Sequence, residues 1–201
     1  MYGVYYSKAT ITDGVVSGYT GMKTMGKAIS AGFEPNTPDD NPLYANNAVA
    51  ENDSSGASGG TLTLTLDRLI QEAAADLYGL TVEDVEVTVG GAPGTQVSGT
   101  ALRYKGNEQS APVRVAFIRQ NQMDGVRSHE VVLYRRVTFS MPPDSAQTMG
   151  ETIEWQTPEI EGAVMGLEGD GTKAWYEQVI FPSQEAAIQY IKDYFADPDE
   201  G

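Results

Sequence analysis

The stretch TLTLTL at residues 61–66 alternates threonine with leucine at every position. Successive side chains of a β-strand point to opposite faces, so the leucines share one face and the threonines share the other. The stretch VEVTV at residues 85–89 repeats the pattern. Both stretches therefore predict half-buried strands, with one face against a core and the other in water.

Similar patterns continue along the chain and predict a mainly β fold. Asp124 and Gly125 favour the positive φ angles of a tight turn, so the segments that flank them predict a β-hairpin. Many strands at this spacing are typical of an antiparallel β-sandwich or barrel. The remaining predicted strands cover residues 3–12, 27–33, 97–105, 113–120, 130–139, 152–156 and 173–181.

Two helices interrupt the predicted strands. The first has apolar residues at helical spacing from Leu66 to Leu77, and Gly79 follows where helices commonly end in the left-handed conformation. We expect it to pack on the sheet. The second, at about residues 183–196, has Ser183 as a good N-cap, one apolar face, and Pro198 beyond its end.

The chain length and composition predict a single domain over residues 1–201. Within this domain, residues 34–60 contain many Pro, Asn, Asp, Ser and Gly residues and predict a long polar loop. Loops of this length are commonly functional, and polar segments need an external partner to become ordered. We therefore expect a neighbouring subunit to hold this loop.

Charge and composition exclude several classes of protein. The chain has 28 acidic and 13 basic side chains, a formal net charge of −15, which disfavours binding of nucleic acid or anionic membrane through a basic patch. It has no cysteine, which excludes disulfides and thiolate chemistry. The first residues lack the pattern of an export signal, and no apolar run is long enough to span a bilayer. We expect a soluble, unexported protein with no membrane partner.

Residues 21–28, GMKTMGKA, imitate a phosphate-binding loop as far as Lys27. However, Ala28 stands where a Ser or Thr hydroxyl would hold Mg²⁺. Gly32 and Pro35 also follow too soon for the long helix whose N-terminus would bind a phosphate. The favoured interpretation is a coincidental match.

Three further patterns imitate functional sites. Residues 51–56 resemble the start of an EF-hand loop, but Leu62 occupies the twelfth position, where a bidentate Glu is required. Asn52 begins a glycosylation sequon in a chain with no export signal. His129, the single histidine on which a Ser-His-Asp site would depend, is predicted to lie at a solvated strand start. We expect no catalytic, cofactor-binding or metal-binding residues.

Sugar chemistry is the remaining enzymatic or binding alternative. Acidic residues are abundant, but a glycosidase pair depends on a three-dimensional separation, and the sequence singles out no pair. Trp155, Trp175 and Tyr176 fall within strand patterns and predict core residues rather than a sugar-stacking platform. The sequence therefore favours a protein that is not an enzyme.

Two separated segments carry further information on function. Residues 150–162, GETIEWQTPEIEG, are similar to a Gly-x-x-Ile-Glu-aromatic-Gln-Thr-Pro-x-Ile-x-Gly stretch of the major tail proteins of long-tailed bacteriophages of Gram-positive hosts. Residues 42–53, PLYANNAVAEND, followed by GGTLTL at 59–64, resemble the family's loop-and-strand block. The resemblance is strongest over residues 42–77 and 127–162 and is weak at both ends of the chain.

The resemblance implies a tail-tube β-sandwich or barrel with a flanking helix and a short C-terminal helix. It implies a homo-oligomer of hexameric rings, stacked into the tube through which phage DNA passes without specific binding. It also implies a place in the virion tail, with the host cytoplasm before assembly, and tape-measure and tail-terminator proteins as partners. Edge-to-edge strand pairing around a closed ring is physically reasonable, because it removes exposed sheet edges.

Three alternatives remain open from the sequence. A tail terminator or head–tail connector would share the fold and form a single ring. A secretion-system tube protein would have the same barrel without the Thr-Pro stretch. A carbohydrate-binding β-sandwich would need exposed aromatic side chains.

Overall fold

The computed structural model describes residues 1–13, 15–37, 41–45, 48–53, 59–90, 94–106, 108–141, 157–165 and 174–196. In chain order its elements are β1 (Tyr2–Thr12), β2 (Val15–Tyr19), β3 (Lys23–Gly26), β4 (Ala28–Pro35), β5 (Asn41–Ala45), β6 (Ala48–Asp53), β7 (Gly59–Leu66), α1 (Gln71–Tyr78), β8 (Thr81–Val89), β9 (Thr95–Arg103), β10 (Val113–Met123), β11 (Val126–Phe139), β12 (Glu159–Met165), β13 (Tyr176–Phe181) and α2 (Gln184–Ala196).

Nine strands form one main sheet. Seven run in the order β2-β1-β10-β11-β12-β7-β4, while β3 pairs with β1 and β13 pairs with β11. The 14-residue strand β11 is long enough to pair with β13 near its start and with β12 near its end. All strand pairs among the described residues are antiparallel, and the main sheet is not a closed barrel. The predicted mainly β, antiparallel class is confirmed.

The central strands β10 and β11 are buried on both faces. On one face, Phe117 and Val132 join a core that also contains residues of α1 and β7. On the other face, Ile118 and Leu133 pack with Ile191 of α2. A strand that is covered on both sides needs apolar residues at successive positions rather than alternate ones, which explains the run VAFI at residues 115–118.

The TLTLTL stretch forms most of β7, as its alternation predicts. Leu62, Leu64 and Leu66 are fully buried, whereas the intervening threonines are intermediate or exposed. β7 pairs with β12 on one side and with β4 on the other, so its leucines anchor three adjacent strands to the core.

Both predicted helices are present, with one corrected boundary. The predicted first helix starts too early, because Leu66 is still paired with Ala28 at the end of β7. Gly79 ends α1 at φ +70°, and its N–H donates to the carbonyl oxygen of Ala75, as predicted. At α2, the N–H of Ala186 donates to Ser183 Oγ at 3.2 Å, so the predicted N-cap is confirmed.

The prediction of a loop throughout residues 34–60 is wrong for part of that range. β4 continues to Pro35, and β5 and β6 pair with each other as an antiparallel hairpin. Their Pro, Asn and Asp residues have low β-propensity, so the composition of this range predicted a loop where the structure has two strands.

Other strand predictions differ in extent. Asp124 and Gly125 adopt φ +51° and +80°, which confirms the predicted β10–β11 turn. Strands β2, β3 and β12 lay outside the predicted set, and all three are short or interrupted by glycine. The strand predicted at residues 152–156 lies outside the described residues.

Candidate assembly surface

Residues 21–28 form a corner between two strands. β3 ends at Gly26 and β4 begins at Ala28, so the backbone around Lys27 continues into a strand and not into a helix. The N–H of Lys27 donates to Asp67 Oδ1 at 2.8 Å, and the Asp67 N–H donates back to the Lys27 carbonyl at 2.9 Å. A Cβ at Gly26 would overlap the carbonyl oxygen of Arg68. The stretch that imitates a phosphate-binding loop is therefore a place where the backbone of residues 26–27 packs closely against the backbone of residues 67–68.

The other imitations of functional sites also gain no supporting geometry. Glu51 to Asp53 lie in β6, while residues 54–56 of the EF-hand-like stretch fall outside the described residues. Within the part of the chain that is described, no three His, Asp or Glu side chains are grouped as metal ligands. Asn52, the sequon residue, lies opposite Pro42 in the β5–β6 hairpin.

His129 is buried, so the prediction of a solvated position is wrong. It lies in β11 opposite Phe181 of β13 and Gln120 of β10, and only 9% of its surface is exposed. Its position inside the sheet is explained by β11, which begins at Val126, four residues earlier than the predicted strand. The ring centroid of Tyr2 is 6.0 Å away.

The two described aromatic residues that were candidates for sugar stacking join an aromatic cluster. Trp175 and Tyr176 lie 5.6 and 6.1 Å from the ring of Phe33, and Tyr176 lies 5.2 Å from Tyr134. The cluster packs against the α1 side of the core. This agrees with the predicted core role, while Trp155 lies outside the described residues.

A charged cluster fastens α1 to the edge of the main sheet. The Asp76 carboxylate accepts hydrogen bonds from Tyr6 Oη at 2.9 Å, Lys8 Nζ at 3.1 Å and Lys23 Nζ at 2.9 Å. Lys23 also contacts Glu72 Oε1 at 2.9 Å. Burial acts to raise the pKa of Asp76, but the three donors outweigh it and hold that pKa below its ordinary value. Burial and the bond to Asp76 raise the pKa of Tyr6.

A buried arginine holds the other helix. Arg114 of β10 is fully buried, and its Nη1 donates to the carbonyl oxygen of Tyr194 at 3.1 Å. Its guanidinium carbon lies 3.7 Å from the ring centroid of Tyr19 in β2. A cation at a helix C-terminus is favourable, because the last carbonyl groups carry partial negative charge. Arg114 therefore joins α2, β10 and β2 through one side chain.

Two strands of the main sheet pair on one side only within the described part of the chain. Among the described residues, β4 pairs only with β7, and β13 pairs only with β11. Exposed apolar side chains lie on these two strands, with Ile29 on β4 53% exposed and Ile180 on β13 65% exposed. A free edge offers unpaired N–H and C=O groups to another strand, so both edges are candidate contact surfaces.

A second candidate surface is the hairpin formed by β8 and β9. These two strands pair with each other in a separate sheet, and most of their residues are exposed. Both strands agree with the strand patterns of the sequence, but the prediction that residues 85–89 are half buried is wrong for Val87 and Val89, which are exposed. Alternation shows that a strand has an apolar face, but does not show whether the same chain covers it.

The segments that carry the family resemblance are partly described. Residues 59–77 form β7, the connection and α1, and residues 159–162 form the start of β12, which pairs with Thr65 to Leu62 of β7. The two resembling segments are therefore neighbours in the sheet. Residues 150–156 lie outside the described residues.

None of the helices in the described ranges is both long and apolar enough to cross a lipid bilayer. The sequence matches no protein-family model, and a search of curated proteins finds no match.

Proposed function

We propose that this chain is a structural subunit of a phage tail tube, which assembles as hexameric rings stacked into a hollow tube for DNA. On this proposal the domain is of the tail-tube sandwich type, and it acts in the virion tail without enzymatic activity. The proposal draws on the sequence resemblance for the number of subunits and the place of action. Tape-measure and terminator proteins are its further expected partners.

The observation that carries the proposal is that two strands of the main sheet, each with one strand partner among the described residues, carry exposed apolar side chains. β4 and β13 each have one described strand partner, and Ile29 and Ile180 on them are mainly exposed. A strand with exposed apolar side chains and no second strand partner promotes aggregation in a protein that works alone, so β4 and β13 favour pairing with other copies. When one edge of a copy pairs with a different edge of the next copy, the contact repeats, and it closes into a ring when the rotation between neighbours divides a full turn.

Electron microscopy of the purified protein over a range of concentrations tests this function. We expect tubes of uniform diameter built from stacked rings. Single rings that never stack would instead indicate the terminator or connector function. A protein that stays monomeric at all concentrations would contradict assembly altogether.

A further inference from the structure

The outward side of β7 and its two neighbouring strands is a polar sheet surface. Thr61, Thr63 and Thr65 point away from the core, since the leucines between them are buried. Each threonine pairs with one residue of β4 and one of β12, so that Thr63 stands in a row with Gly32 and Glu161. All six of these paired residues are exposed. We call the three threonines and the residues paired with them the threonine face.

The threonine face is acidic and carries no base. Glu34, Glu159 and Glu161 lie on it, and the strands β4, β7 and β12 contain no Lys, Arg or His. Among the described residues none of these glutamates has an ion-pair partner. The remaining positions are Thr, Ser, Ala and Gly, which are all short. The surface therefore repels phosphate groups and offers no cation to hold them.

The rest of the chain lies behind the opposite side of these strands. Leu64 of β7 shares one core with Phe117 of β10, and Ile118 on the far side of β10 packs with Ile191 of α2. Behind the threonine face the molecule therefore continues through a second sheet layer to a helix layer. Each such layer adds about 10 Å, so this body is roughly 20 Å deep.

A ring that closes through β4 fixes which way the threonine face points. If the side of β4 that has no described strand partner pairs with the next copy, six copies contribute about 18 strands from β12, β7 and β4, and closed sheets of about this size enclose an open channel. Strands about 4.8 Å apart and tilted by about 40° give such a cylinder a radius of roughly 18 Å. Bodies roughly 20 Å deep do not fit within that radius, so they lie outside the cylinder and the threonine face points to its axis.

We infer that the threonine face lines the lumen of the proposed tube, where it faces the passing DNA duplex, and that α2 lies on the outer surface. This inference rests on the proposed function, because the ring of six copies comes from it. Side chains that extend about 5 Å from each wall leave a bore of roughly 25 Å. Glu34, Glu159 and Glu161 of every copy then surround the duplex with like charge, and the short side chains between them keep the bore open.

Cysteine labelling tests the direction of this face, because the chain has no cysteine of its own. Thr63→Cys places a thiol at the centre of the threonine face, and Gln189→Cys is the control on the exposed side of α2. Ala163→Cys is a second variant on the threonine face, for use if Thr63→Cys does not fold. Each variant is treated as monomer and as assembled tube with two probes. One is a small maleimide dye, and the other is a maleimide attached to a globular protein wider than the bore.

Both probes should label both thiols in the monomer. In tubes the small dye should still label Thr63→Cys, because it enters through the open ends, whereas the wide probe should lose its access to this thiol. Gln189→Cys should react with both probes in tubes as it does in the monomer. This pattern identifies a wall that small molecules reach only from within.

Other outcomes overturn the inference in ways that are separate from failure of the tube. Labelling of Thr63→Cys by the wide probe in tubes would show that the threonine face points outward. Protection of this thiol from both probes would show that the face is buried between copies. In either case the tube function stands. A parent that forms no tubes at any concentration overturns the tube function and the inference with it.

Discussion

Tyr6 Oη of β1 donates to the Asp76 carboxylate of α1 across 2.9 Å, and the same carboxylate binds the ammonium groups of Lys8 and Lys23. One partly buried acid therefore connects α1 to both β1 and β3. Asp76→Asn removes the charge and should lower the free energy of unfolding by about 2 kcal/mol, because charge-assisted hydrogen bonds are lost. Glu72→Gln is the control: Glu72 is far more exposed, and Lys23 is its one ion-pair partner among the described residues, so the effect should stay below about 1 kcal/mol.

The contribution of Asp76 should depend on pH with a defined sign. Its pKa is lowered in the folded chain, so the stabilisation is complete above the unfolded pKa, about 3.9, and is lost as the pH falls through the folded value. Denaturant unfolding of the parent and of Asp76→Asn should give a constant difference near neutral pH and a vanishing one under strongly acidic conditions. A difference that grows on acidification would contradict this account.

The corner at Gly26 predicts a second stability effect. Gly26→Ala should destabilise the fold by about 2 kcal/mol or more, because its Cβ meets the Arg68 carbonyl and the residue has φ +156°. Gly21→Ala provides the control, since a Cβ at Gly21 has no neighbour within 4 Å and its φ is not positive. Thermal unfolding of both variants is the measurement. Equal melting temperatures would show that the corner relaxes.

Lys27 provides the test of nucleotide chemistry. The structural bonds at this corner use the backbone N–H and carbonyl of Lys27, so Lys27→Ala should leave folding and assembly nearly unchanged. We also expect the parent to bind no ATP in equilibrium dialysis. ATP binding by the parent that is lost in Lys27→Ala would establish the phosphate-binding interpretation.

The strand pattern was predictable from sequence because half-buried strands alternate. Leu62, Leu64 and Leu66 alternate with threonine and are buried, so local pattern and tertiary environment agree. Pairing between distant strands is not local information. The neighbours of β7 are β4 and β12, which lie far from each other in the sequence, and no periodicity specifies that arrangement.

The candidate assembly surface shows the same limit more clearly. The alternation at residues 85–89 identified an apolar face but did not show that the chain leaves Val87 uncovered. The burial of His129 and Arg114 could not be predicted from the sequence, because polar side chains usually lie at the protein surface. Both residues are buried because other elements cover the strands in which they lie.

Proteolysis tests whether a neighbouring copy contacts the segment between β4 and β7. Residues 34–60 contain no Lys or Arg, so trypsin leaves this segment intact, whereas a glutamate-specific protease recognises Glu34 and Glu51. Glu51 lies in β6 of the separate two-stranded β5–β6 sheet, and such a hairpin is only marginally stable by itself. We therefore expect cleavage after Glu51 in the monomer and strong protection in the assembled protein, because a bound neighbour stabilises the hairpin and blocks access to the backbone. Equal cleavage rates in both states would show that neighbouring copies leave the segment uncovered.

Charge on the inner wall of the proposed tube affects how DNA passes through it. The chain has an excess of 15 negative charges, and we expect the inner wall to be net acidic. Basic groups on that wall would form phosphate contacts and release counterions, which would make DNA transit slow and strongly dependent on salt. Carboxylates repel the phosphates and keep the DNA mobile. This repulsion acts over a screening length of about 8 Å at physiological salt.

Alternatively, the acidic residues face outward and serve only solubility. An experimental structure of the assembled tube distinguishes the two by the charged side chains that face the lumen. A neutral or basic wall would refute the charge argument while leaving the subunit's place in a tube intact.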